Sequence, residues 1–286
     1  MASWIGRRLP AGVAIANAAT SVEYLTGHRS LNLHGVMSPG FAGGRALDRD
    51  ANVLEQMRRV PAAKRPAWLL VGRAQLEASA VLRAFAAGEP AHVAAGFGDD
   101  DLLLVPARWD VLDRGLAPLD GAAAAAVAPL AEVDRLDVGD PADEAAHGYA
   151  VDSRLGAAPV GATVAFSAPP GGGEEVADAG RAILGGETFT VRGTRAGRDL
   201  VVVLRTRAAA EARVFRARGP AVFTVAFPTA SLRVSAGGTE AATLDLPNGD
   251  GWCEHALRVP GRLVSTGATR LALRGRYASY RYWFYQ

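Results

Sequence analysis

An open, mostly parallel α/β sheet domain followed by an all-β sandwich of jelly-roll type is the fold class this sequence predicts. Three observations predict it. Apolar runs of strand length alternate with helix-compatible segments over residues 1–115. The next stretch, 116–150, is rich in alanine, proline and acidic residues. Over 151–286, short strand-like segments succeed one another with glycine and asparagine between them. A chain of 286 residues, 49% of them hydrophobic, has material for two cores.

In the first part, Gly12–Ala16 is a short apolar run suited to a buried strand. A helix-compatible segment from Asn17 to Leu25 ends at Gly27. Ser30–His34 alternates with period two and reads as the next strand. Over Asp48–Val60, Val53, Leu54 and Met57 share a helical face, and Pro61 stops the helix. Trp68–Val71 is a further buried strand, and Leu76–Ala87 a further helix ending at Gly88. Ala91–Phe97 and Leu102–Val105 flank Gly98-Asp99-Asp100, a hairpin signature. Such alternation implies an open, mostly parallel sheet with an antiparallel edge.

Residues 116–131 are alanine-dominated and read as a linker, since Pro118, Asp120 and Pro129 interrupt them. Beyond Val160 the expected strands are 163–166, 187–192, 200–206, 221–227, 231–235, 240–246, 252–259, 269–274 and 280–284. Turn glycines punctuate them at Gly185-Gly186, Gly237-Gly238 and Asn248-Gly249. Many short strands with turns at intervals of about 8–12 residues suggest a sandwich.

The net charge of +2 argues against a nucleic-acid partner. The charge is uneven: residues 116–151 carry 1 basic and 7 acidic residues, whereas 152–286 carry 17 and 11. Cys253 is the only cysteine, so no intrachain disulfide and no cysteine-based zinc site is expected. No apolar run reaches the roughly 18–20 residues that span a bilayer, and the opening residues do not read as a signal peptide.

The densest polar constellation is 136–149, where Asp137, Asp140, Glu144, His147 and Tyr149 are candidate binding residues. Two readings stand side by side. The segment is a sugar- or cation-binding loop, or it is an acidic connector in which Asp140 or Asp143 caps a short helix and His147 bonds to backbone. Glu144 and His147 stand at i, i+3, the spacing of half a carboxylate di-metal site, but no second half exists. The carboxylates could equally pair with arginines of the β half, or accept hydrogen bonds from sugar hydroxyls. Asn17, Thr20, Glu23 and His34 lie towards the carboxyl ends of the first two strands, where open α/β sheets bind ligands. No phosphate loop or hydrolase elbow is present, and Ser38 and Ser153 are isolated. At the end of the chain, Tyr280, Tyr282 and Phe284 point one way along a strand, and Arg281, Trp283 and Tyr285 the other. They suit either a core strand or, with Trp252, a sugar platform.

Several segments carry a family resemblance. Trp4-Ile5, Pro10-Ala11-Gly12 with the apolar run after it, Tyr24-Leu25-Thr26-Gly27-His28-Arg29 and Leu31–Val36 together resemble the extracytoplasmic tail of bacterial multi-pass GT-C-type glycosyltransferases, which look like dolichyl-phosphate-mannose-type mannosyltransferases. Lys64–Val71 is similar to a later proline–aromatic–strand element of that tail. The likeness covers about the first 110 residues and departs at Asn17-Ala18-Ala19 and Asn32, where the family has acidic turns. The resemblance implies the accessory portion of such an enzyme, on the extracytoplasmic side and tethered to the membrane in a parent protein whose membrane loops carry the catalytic acids. It implies a glycan or lipid-linked sugar acceptor as partner, with the parent's membrane domain as neighbour. No catalytic residue, metal or cofactor is expected in the chain itself. A free-standing glycoside hydrolase working through a carboxylate pair, or a structural β module for protein contacts, are the alternatives.

Overall fold

A computed structural model of the chain describes residues 5, 7, 9, 14–17, 27–33, 49–95, 101–152, 162–167, 176–183, 185–207, 212–215, 222–225, 230–246 and 253–286. The chain divides into two compact units, one of residues 1–45 and 49–114, the other of 46–48 and 115–286.

The first unit holds β1 (Ile15–Asn17), β2 (Ser30–Asn32), α1 (Arg49–Arg58), β3 (Trp68–Gly72), α2 (Arg73–Ala78), α3 (Ala80–Phe85), β4 (Ala91–Ala95), β5 (Asp101–Pro106) and α4 (Asp110–Asp113). Its sheet runs β2-β1-β3-β5-β4. The pairings of β1 with β2 and β3 are parallel, and those of β5 with β3 and β4 antiparallel. Two of its four pairings are parallel, so the sheet is mixed rather than mostly parallel, and the hairpin of β4 and β5 forms the antiparallel edge that the sequence predicts. Ile15, Leu70 and Leu104 from three adjacent strands pack with Ile5 and Leu9 as one core. The single helix expected over 76–87 is two short ones. Ser79 takes an extended conformation (φ −102°, ψ 117°) and its hydroxyl accepts from Leu82 N–H, so it caps the second helix while ending the first.

The second unit continues with α5 (Gly121–Val127), β6 (Glu132–Asp137), α6 (Pro141–Ala146), β7 (Ala150–Asp152), β8 (Ala162–Ser167), β9 (Val176–Ile183), β10 (Gly186–Thr194), β11 (Leu200–Arg207), β12 (Ala212–Phe215), β13 (Val222–Val225), β14 (Ala230–Ala236), β15 (Thr239–Leu246), β16 (Cys253–Val259), β17 (Gly267–Arg274) and β18 (Tyr277–Tyr285). One sheet runs β15-β14-β17-β10-β7, another β16-β11-β18-β9-β8, and among the described residues β12 pairs with β13 alone. All pairings here are antiparallel. Alternate residues of the two larger sheets meet in one core: Phe189, Val191, Leu232, Val234, Leu271 and Leu273 from the first, and Val202, Leu204, Tyr282 and Phe284 from the second. This is a β-sandwich.

Residues 116–150, read as a connector, are built into this unit. β6 pairs antiparallel with the last strand, Leu136 opposite Tyr282. The alanine run is helical, since alanine is the best helix former and Asp120 accepts from Ala122 and Ala123 N–H at 2.9 Å each. The strand β18 is buried along all nine residues. Tyr282 and Phe284 face the sandwich core, while Trp283 and Tyr285 lie on the other face with Val203 and with Ala123 and Val127 of α5. Beside it, β9 comes so near that a Cβ on Gly180 would stand 2.0 Å from Ser279 O.

Candidate functional site

The polar residues singled out between 136 and 149 form one turn-and-helix device. The strand β6 ends at Asp137, and Gly139 turns the chain with φ +103°, a conformation side chains rarely adopt. Asp140 then caps α6, accepting from Ala142 N–H (2.8 Å), and Pro141 occupies the first turn. Glu144, buried on this helix, accepts from Gly139 N–H (3.0 Å) and forms a two-point ion pair with Arg181 of β9, one contact at 2.6 Å. Asp137 meets Arg281, its cross-strand partner on β18. The helix stops at His147, whose Nδ1 lies 2.8 Å from Asp143 O and whose Nε2 lies 3.3 Å from Asp134 Oδ1. Tyr149 donates its hydroxyl proton to Glu187 of β10 (2.5 Å).

These five candidates share one segment, but their side chains do not converge on a common cleft. Each is committed to a separate internal partner, and two of the carboxylates meet arginines of the β half. Among the remaining candidates, Asn17 lies in β1. Thr20, Glu23, His34, Ser38, Ser153 and Trp252 fall outside the described residues.

Sequence reasoning missed two buried polar groups. Glu187 accepts hydrogen bonds from Tyr149 (2.5 Å), Tyr277 (2.5 Å) and Tyr282. Burial raises its pKa, and the three phenols only partly oppose that. A second group lies on the opposite face of the β11 sheet, where Arg205 is held by Asp178 (2.7 Å) and Glu254 (2.6 Å), all three side chains without solvent exposure. Its guanidinium lies over the Trp283 ring at 5.0 Å. Glu254 also accepts from Leu119 and Asp120 N–H at 2.5 and 2.7 Å. The available signal was an arginine inside an otherwise apolar strand, Val201–Leu204, which alternation alone assigns to a solvated face.

Cys253 and His255 come together at the start of β16, Sγ to Nε2 at 3.0 Å. Burial raises the thiol and lowers the imidazole. Both shifts favour the neutral pair, the reverse of what a nucleophilic thiolate requires. In the first unit, a cleft of about 610 Å³ is lined by Arg29, Ser30, Gln56, Arg59, Lys64 and Arg65 among others. It opens beside Ser30 and Ala67, at the amino ends of β2 and β3, the end opposite to where ligands of open α/β sheets usually bind.

The outward face of the sheet β15-β14-β17-β10-β7 carries a different population. Thr188, Thr190 and Arg192 project from β10, Arg270, Ala272 and Arg274 from β17, and Ser231, Arg233 and Ser235 from β14. The four arginines are exposed, and none of them is in an ion pair among the described residues.

No protein-family profile matches the chain, and no curated protein matches it in sequence. Solved structures do align. A carbohydrate-binding module from Cellvibrio mixtus lichenase 5A, solved with cellotriose, is 12% identical and covers 55% of this chain and 98% of its own, with a TM-score of 0.31. The C-terminal family 6 module of a Zobellia galactanivorans laminarinase is 15% identical over 44% of this chain and 90% of its own, TM-score 0.26. A Clostridium stercorarium module solved with cellobiose is 13% identical over 53% and 92%, TM-score 0.26. At this similarity neither ligand nor binding residues transfer to the present chain.

Proposed function

We propose that the β half is a non-catalytic module that binds a glycan, and that the chain is the accessory, extracytoplasmic part of a membrane glycosyltransferase-like protein. The observation that carries the binding role is the open sheet face, where hydroxyls and guanidiniums stand side by side on a rigid surface. Sugar hydroxyls need such donors and acceptors fixed in place. The non-catalytic part rests on the acids. Glycoside hydrolysis needs two carboxyl groups flanking one bond, one protonated and one ionised. The carboxyls of Asp137, Glu144, Asp178 and Glu254 are each bound by an arginine, which removes them from that work. The membrane setting rests on the sequence resemblance of the first 110 residues. Affinity electrophoresis in gels holding a panel of polysaccharides, run beside a reducing-sugar assay, tests the reading. Retardation by a glycan with no sugar released is expected. Release of sugar, abolished by a single substitution, establishes the hydrolase alternative instead.

A further inference from the structure

We infer that the ligand of this face is an acidic polysaccharide, its carboxylate or sulfate groups laid along Arg192, Arg270, Arg274 and Arg233. The inference rests on the reading of the β half as a glycan-binding module and adds the site and the ligand's charge. Cross-strand register sets the arrangement. Arg270 lies opposite Thr190, Arg192 opposite Ala268, and Arg233 directly opposite Arg274. Like charges facing each other across a strand pair destabilise a sheet. A run of anions over the face removes that repulsion.

Spacing favours a polymer over a small ion. Arg270 and Arg274 are four residues apart on one strand, about 13 Å, and Arg192 extends the track by roughly two more residues. One phosphate or carboxylate cannot reach across that length, whereas a chain with a charge on each repeat can. Thr188, Thr190 and Ser235 lie among the arginines as partners for hydroxyl groups. Acidic residues mark the edges: Asp152 on β7, and Glu240 and Asp245 on β15, are exposed. They confine an anionic chain to the three central strands.

The same face is a poor match for other polyanions. Among the described residues it presents no aromatic side chain on which nucleic-acid bases could stack. Among the same residues it presents no large apolar side chain for a bilayer to take up.

The test uses the full chain in native gels holding polygalacturonate, dextran sulfate or neutral dextran, with duplex DNA and phosphatidylserine vesicles as competitors. Expected is retardation by at least one acidic glycan, weakening as salt rises. It should be lost in R270S/R274S while the melting temperature is unchanged. Polygalacturonate alone identifies carboxylated ligands, and dextran sulfate alone sulfated ones. Should R270S/R274S fail to fold, R192S/R233S replaces it on two other strands. Retardation by neutral glycan only, insensitive to the arginines, overturns the inference and leaves the glycan-binding module standing. Failure to bind any glycan overturns both. DNA or vesicles competing through the same arginines as well as the acidic glycan does also overturns the inference.

Discussion

His147 is where a single side chain couples most directly to solution conditions. Hydrogen bonds to Asp134 and then Asp143 outweigh its burial and push its pKa up to about 10. A pKa raised on folding means that the proton favours the folded chain. The stabilisation is complete below about pH 6.5 and drains away as pH rises through about 10. Asp134 and Asp143 run the other way. Burial opposes their ionised form, but bonding to His147 overrides it and lowers both below 3.8, so their contribution is lost as pH falls through the acid range. The urea midpoint should fall between about pH 7 and about pH 10, and the variant H147Q should flatten that slope. Arg205 makes a larger demand. Replacing it with methionine takes the arginine away from Glu254 and leaves Asp178 with Arg281 at 3.5 Å as its remaining counter-charge, and a loss of about 3–5 kcal/mol is expected from chemical denaturation.

At the level of elements, α5 shows how a small feature ties a segment down. Its cap, Asp120, also donates its own N–H to Glu254 beneath the sheet, and its buried side packs on Trp283. D120A should cost about 0.5–2 kcal/mol and shift tryptophan emission to the red as water reaches Trp283. Sequence patterning located most strands of the second unit, because hydrophobic alternation and turn glycines act locally. It missed β9, whose Ala-Asp-Ala-Gly-Arg segment has weak strand propensity. That strand is stabilised by what it meets, Gly180 fitting against Ser279 and Asp178 binding Arg205. It also read the alanine run as a linker, because nothing local marks which face of a short helix will be covered. The candidate residues of 136–149 were legible as a polar cluster. Arginines of the β half were legible as partners for the carboxylates, but which ones was not, nor was Glu187, because Arg181, Glu187 and Arg281 are 37, 38 and 144 residues distant from Glu144, Tyr149 and Asp137.

Over the molecule as a whole, β18 is the strand on which the second sheet depends. It pairs with β11 along one side, and with β9 and then β6 along the other. Its residues enter three separate buried clusters. A chain ending at Arg276 should lose the near-ultraviolet circular dichroism of the second unit, whereas removing Gln286 alone should preserve it. Contacts between strands so far apart in sequence make for slow folding, and refolding of the intact chain should be correspondingly slow.

That arrangement also fixes an order in time. A chain leaves the ribosome with its amino end first, and β6, β9 and β11 emerge without the strand that joins them. Until residue 285 has been made, Arg205 and its two carboxylates lack Trp283, and the tyrosines that enclose Glu187 are incomplete. The sandwich therefore closes only after synthesis has passed its last strand. Through that interval the nascent β half should stay open to proteolysis, because the strand that β6, β9 and β11 share has not yet been made.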